Sequence, residues 1–243
     1  MSYSLADVRG TLKASDSWWT VYCVDPLAIR LTRCVANRTR LTPGAVTAVA
    51  FGLGLAAAGA FATGALVLGA ALSYLCFLAD CVDGKLARLK GLGSAFGEWL
   101  DYILDRVRTV VCAAALGHGL YAATGDSGYL LFAAGVVLVD VFRYLNGQQI
   151  GKARRSLAPP VPAPRAPVPE RARDRVRRRY FSGIEFQMAV FVVGPLTGLV
   201  VQVTACAAAA LLCFELHLIH AFWRQTRRAA TSRMNPSEPV LAE

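Results

Sequence analysis

The sequence predicts an all-α integral membrane protein, a six-transmembrane-helix bundle preceded by an N-terminal interfacial amphipathic helix. Three observations predict it. The 243 residues are 55% hydrophobic and only 17% charged, with a mean hydropathy of +0.43, too apolar for a surface that faces water throughout. The apolar residues gather in runs near the length of about 20 that a helix needs to cross hydrocarbon. Lys and Arg collect in alternate loops, as they do on the cytoplasmic side of membrane proteins.

Residues 1–41 read as a cytoplasmic and interfacial segment, without the basic, apolar, small-residue order of a signal peptide. Asp25-Pro26 suits an N-cap and first turn, after which Leu27, Leu31, Cys34 and Val35 share one face and Arg30, Arg33 and Asn37 the other. Trp18, Trp19 and Tyr22 fit the headgroup level; an ordinary packed amphipathic helix is the alternative.

Membrane helices are expected at about 44–62, 64–88, 94–120 and 128–150. The apolar run from Phe181 to Phe222 is about twice a span and has to fold back between Gly194-Pro195 and Thr204, which completes a catalytic domain over 42–226. Arg30, Arg33, Arg38 and Arg40 precede the first helix, and Lys85, Arg88 and Lys90 lie at the second turn. Arg224, Arg227 and Arg228 follow the last helix, whereas the intervening turns carry no Lys or Arg. Both termini, including the 227–243 tail, are therefore expected in the cytoplasm of a multi-pass cell-membrane protein.

Of the net charge of +10, +8 lies between Lys152 and Arg179, where nine arginines and one lysine face Glu170 and Asp174. Without interleaved aromatics for base stacking, this 152–179 stretch reads as a cytoplasmic loop and not as a nucleic-acid arm. Its proline-rich part, Ala158 to Pro169, reads as an extended linker. The seven cysteines are odd in number, scattered and without a CxxC pair, as expected for reduced thiols.

Carboxylates inside or near a membrane are costly, and four fall in one short stretch. It runs Asp80-x2-Asp83-Gly84-x2-Ala87-Arg88-x8-Gly97-x3-Asp101-x3-Asp105. On helices, Asp80, Asp83, Gly84 and Ala87 form one stripe, and Gly97, Asp101 and Asp105 another. A short turn near Gly91 to Ser94 makes the two helices antiparallel neighbours whose acidic stripes can face each other.

Four repelling carboxylates in one pocket call for cations, and an all-oxygen donor set suits Mg²⁺, Mn²⁺ or Ca²⁺. At 1.5 Å per residue, Asp101 and Asp105 lie roughly 10 to 17 Å in from Ser94, in a cavity open to the cytoplasm. Arg88 at its mouth suits a diphosphate oxygen. Arg143 and Lys152 suit a phosphate on an acceptor, or snorkelling to the interface; Arg108 can pair with a carboxylate or a substrate. Asp140 and Glu185 face either a substrate hydroxyl or an arginine, and Glu215, His217 and His220 read as packing residues.

At these residues the chain resembles the CDP-alcohol phosphatidyltransferase family, matching all eight fixed positions of its signature. The likeness extends to Thr42-Pro43-x2-Val46-Thr47 before and within the first span, with Gly44 where the family often has Asn. The resemblance implies transfer of a substituted phosphoryl group from a CDP-activated alcohol to a second alcohol, with release of CMP. It implies that Asp80, Asp83, Asp101 and Asp105 bind two divalent ions, Mg²⁺ or Mn²⁺, and that Asp105 also deprotonates the acceptor. Gly84, Ala87, Arg88 and Gly97 would line the CDP site, and similar enzymes are homodimers.

The favoured substrate pair is CDP-diacylglycerol with an inositol phosphate or glycerol phosphate; the alternative is a CDP-linked headgroup with a lipid or other alcohol acceptor. A membrane prenyltransferase fits less well, because the acidic cluster is single and split over adjacent helices. A cation transporter would need polar residues across the full depth. An intramembrane aspartyl protease needs two aspartates, not four.

Overall fold

The structure, a computed structural model, describes residues 2–157, 168–169, 171–176 and 181–234. Most of the proline-rich linker expected at 158–169 and much of the arginine-rich loop lie outside the described residues. Among those described there is no strand, and the one isolated bridge pairs Asp16 with Val176 in parallel.

The chain opens with α1 (Leu5–Gly10), a single capped turn. The backbone N–H and hydroxyl of Ser4 donate to the Asp7 carboxyl and hold it below the usual carboxylate range. A π-helical turn at Thr20–Val24 leads into α2 (Asp25–Arg38). Tyr3 and Asn37 exchange two hydrogen bonds, of 2.8 and 2.9 Å, tying the start of the chain to the end of α2.

Two expectations for α2 are corrected. Asp25 is the first helical residue and not the cap; its carboxylate is buried and ion-paired with Lys85 and Arg175, each at 2.8 Å. The apolar face is also divided. Val24, Ala28 and Thr32 point inward and Val35 packs on the same core, while Leu27, Leu31 and Cys34 point outward. Small residues let α2 lie close on α4, so the larger leucines are left for the surroundings, beside exposed Trp18 and Tyr22.

Four helices among the described residues are long and apolar enough to cross a membrane: Pro43–Ala62, Leu66–Lys90, Gly128–Ser156 and Val200–Arg227. The first, α3 (Pro43–Ala62), starts as the Thr42-Pro43 pair dictates, with the Thr42 hydroxyl accepting from the Ala45 N–H at 3.2 Å. It turns through Gly64 into α4 (Leu66–Lys90). Gly91 ends α4 at φ +65°, a conformation that glycine adopts without a Cβ penalty. Ser94 then caps α5 (Ala95–Thr124), and α6 (Gly128–Leu157) follows.

α5 has 30 residues, yet its first half carries Glu98, Asp101, Asp105, Arg106 and Arg108. After the short α7 (Ala172–Arg175), the expected fold-back appears as two units. The first is apolar and only Gly183–Thr197: α8 (Gly183–Met188), a π-helical stretch at Ala189–Val193, and α9 (Gly194–Thr197). The wider turn relieves Pro195, which lacks an N–H and would crowd the carbonyl one turn back. Gly198, at φ +73°, reverses the chain into α10 (Val200–Met234).

Helix α3 lies close on both α4 and α5: a Cβ on Gly69 would lie 2.4 Å from the Phe61 ring, and one on Gly119 2.0 Å from the Phe61 carbonyl oxygen. One core gathers Phe61, Leu116, Phe186, Val190 and Leu211 from α3, α5, α8 with its π-helical continuation, and α10. A second joins Val24 and Ala28 of the N-terminal segment to Phe77, Val82 and Leu86 of α4 and to Met188 and Val192. Outward faces stay apolar, with Leu131 at 77% and Leu138 at 68% exposed, which in water would be unfavourable and in lipid is not.

Candidate active site

The signature residues occupy the C-terminal part of α4 and the first half of α5, brought together by the turn at Gly91 to Ser94. Carboxylate oxygens of Asp80, Asp83 and Asp101 all lie within 4.8 Å of one another. Oxygens coordinating one hard divalent ion at roughly 2.1 to 2.4 Å fall within such a spread, so this donor set fits Mg²⁺, Mn²⁺ or Ca²⁺. Thr47 of α3 donates its hydroxyl to Asp83 at 2.7 Å, fixing that carboxylate from a third helix.

Asp105 stands apart from this trio. It accepts hydrogen bonds from Arg106 and Arg108, so Arg108 takes the carboxylate partner that its spacing allowed. Arg106 reaches onward to Asp140 of α6, which is buried and also accepts from Arg143 at 3.4 Å. Asp140 thus holds arginines. Glu185 caps α8 through Ser182, and Glu215 accepts from Asn146 at 2.6 Å. His217 and His220 are exposed.

Two spaces border the acidic row. The smaller, of about 10 Å³, is lined on the α3 side by Thr47, Ala50 and Phe51 and by Cys76, Leu104 and Arg108, and has room for about one water molecule. The larger, a cleft of about 250 Å³, is lined by Phe77, Tyr102, Arg106, Arg143, Gln187 and the start of α8 at Ser182 to Ile184. Asp80, Asp101 and Asp105 line both. The larger cleft alone has room for a substrate group.

Arg143 lines the larger cleft, whereas Lys152 is exposed on α6 and lines neither. Of the residues implied for CDP, Gly84 lies beneath Arg88, whose Nη1 is 3.5 Å from where a Cβ would stand. Arg88 donates from Nε to the Thr11 carbonyl at 2.7 Å, Ala87 is half-buried, and Gly97 is exposed in the first turn of α5. None of these four lines either space.

Some site residues were not singled out from the sequence. Tyr102 stacks on Tyr144 at 4.7 Å between ring centroids, and its buried hydroxyl has no hydrogen-bond partner among the described residues. Gln187 donates to Thr109 at 3.1 Å, and Cys76 accepts from Arg108 at 2.9 Å. The available signal was positional: Tyr102 directly follows a signature aspartate, and Cys76 lies one turn before another.

Residues 40–162, about half of the chain, match the family described as CDP-alcohol phosphatidyltransferase. The chain is similar to the archaetidylinositol phosphate synthase of Methanothermobacter thermautotrophicus, with 35% identity over 82 residues, 34% of this chain and 42% of that one. It is also similar to the bifunctional IPC transferase and DIPP synthase of Rubrobacter xylanophilus, with 37% identity over 107 residues, 43% of this chain and 24% of the relative. The matched parts thus span less than half of either relative. The family match includes the acidic row and helices α3 to α6, and on that ground the chain belongs to the CDP-alcohol phosphatidyltransferase family.

Proposed function

We propose that this chain is a membrane transferase that moves a phosphatidyl group from CDP-diacylglycerol to a polar alcohol, an inositol phosphate or glycerol phosphate, releasing CMP. The observation that carries the reading is the larger cleft, where Asp80, Asp101 and Asp105 of the signature meet Arg106 and Arg143 while the residues assigned to CDP lie outside it. A transfer between two alcohols needs both held at once on either side of the reacting phosphorus. The larger cleft is lined by two arginines, Arg106 and Arg143, and by Tyr102, a set that suits a phosphorylated polyol. The name of the first relative, an archaetidylinositol phosphate synthase, supports an inositol-phosphate acceptor.

In this reading Asp80, Asp83, Asp101 and Asp105 hold two divalent ions, Mg²⁺ or Mn²⁺. When bound, such ions neutralise the diphosphate and the charge that develops on the transferring phosphoryl group. Gly84, Ala87, Arg88 and Gly97 receive the CDP end. Asp105, aimed by Arg106 and Arg108, accepts the proton of the acceptor hydroxyl as its oxygen bonds to phosphorus and the bond to CMP breaks. Thr47 keeps Asp83 oriented from α3.

The same reading takes α3, α4, α5, α6, the Gly183–Thr197 unit and α10 as six crossings, with α2 at the interface. It keeps the division into residues 1–41, a catalytic domain over 42–226 and a tail over 227–243. Basic residues at the ends of α4, α6 and α10 share one side of the bundle, which supports cytoplasmic termini in the cell membrane. A homodimer follows from the family resemblance.

The test is CMP release by the purified protein with Mn²⁺ or Mg²⁺ and CDP-diacylglycerol across a panel of polar alcohols and their phosphates. Acceptor-dependent release that is lost in Asp105→Asn supports the reaction and names the headgroup. Release only with a CDP-linked headgroup and a lipid alcohol would reverse the assignment of donor and acceptor.

A further inference from the structure

Polar contacts from three parts of the chain fasten the N-terminal segment to the cytoplasmic end of α4. Arg175 of α7 is only 5% exposed. Its Nη2 donates to Asp25 at 2.8 Å and its Nε to the Lys13 carbonyl at 3.1 Å, while its own carbonyl accepts from the Asp16 N–H at 2.8 Å. The second carboxylate oxygen of Asp25 pairs with Lys85, which is buried beside Gly84.

Burying a guanidinium is costly unless its partners are fixed, and here those partners lie on two stretches, around Lys13 to Asp16 and at Asp25. The contacts make the residues before α2 a strap across the end of α4. One bond then leaves the strap for the signature, from Arg88 Nε to the Thr11 carbonyl at 2.7 Å. It lays the Arg88 guanidinium across Gly84. A long side chain fixed before its ligand arrives loses less freedom on binding.

We propose that Arg175 is a positioning residue for the nucleotide end of the site: by clamping the strap at Lys13, Asp16 and Asp25, it holds Arg88 over Gly84 to receive a diphosphate. The inference rests on the reading above in which Arg88 contacts the CDP diphosphate. Arg175 itself touches no substrate and acts through the Thr11 carbonyl.

The experiment is a double-mutant cycle on the full chain in lipid nanodiscs, read as binding of CDP with Mn²⁺ and, separately, as the rate of tryptic cleavage after Arg9 and Lys13. Arg175→Ala is expected to weaken CDP binding roughly tenfold and to speed cleavage, with Arg175→Lys closer to the parent. Arg88→Ala is expected to weaken binding at least as much, and the double variant no more than Arg88→Ala alone. Asp25→Asn, which removes a charge and keeps the shape, carries the same expectation should Arg175→Ala not fold.

Additive losses in the double variant, or parent-like CDP binding by Arg175→Ala while Arg88→Ala is impaired, would overturn the positioning role and leave the functional reading intact. Unchanged CDP binding by Arg88→Ala would overturn both, and the cleavage rates would then show whether the clamp acts on the strap alone.

Discussion

The Thr47 hydroxyl on α3 lies 2.7 Å from Oδ2 of Asp83 on α4, so one carboxylate of the acidic trio is oriented from outside the signature. Thr47→Val keeps the shape and removes that bond. The half-saturating Mn²⁺ concentration for CMP release is expected to rise roughly tenfold, with Thr47→Ser restoring it. An unchanged metal titration in the valine variant would show that Asp83 needs no such support.

Asp105 is the carboxylate gripped by two arginines and the one outside the close trio. Asp105→Asn is expected to lower kcat by about a hundredfold to ten-thousandfold and to keep appreciable binding of CDP-diacylglycerol. Asp80→Asn is expected to weaken metal-dependent binding as well. Steady-state rates set beside equilibrium binding separate the two.

Tyr102 lines the larger cleft, and its buried hydroxyl has no hydrogen-bond partner among the described residues. Tyr102→Phe is expected to raise the acceptor KM by roughly threefold to tenfold, the worth of one hydrogen bond, without changing the affinity for CDP-diacylglycerol. Equal effects on both substrates would show that the residue does not serve the acceptor alone.

Gly119 faces the Phe61 carbonyl so closely that α5 must move if a methyl is added. Gly119→Ala is expected to destabilise the bundle by about 1 to 3 kcal/mol, read as a lower Tm in detergent. Gly135→Ala on α6, where a Cβ meets nothing within 4 Å, is the control and should not lower it.

What could be read from the sequence was what neighbours along the chain determine. Thr42-Pro43 set the start of α3, Gly91 the turn between the acidic helices, and Gly198 the reversal within the last apolar run. The facing stripes followed from helical spacing, and three of their four carboxylates do converge. Bonds across distance were hidden. Asp25 looked like a helix cap because its partner Arg175 is 150 residues away, and Asp140 showed no preference between substrate and arginine until α5 and α6 met. Lys152 carried the charge of a phosphate ligand, but the helix that bears it presents it outward.

The placing of Asp105 in the larger cleft, with Gly84 and Arg88 outside it, also has a stereochemical consequence. In the reaction proposed above, the acceptor oxygen and the departing CMP meet phosphorus from opposite directions, in a single exchange with no resting stage on the protein. A donor made chiral at that phosphorus with oxygen isotopes and sulfur should therefore yield product of reversed handedness, and retained handedness would mean two successive exchanges.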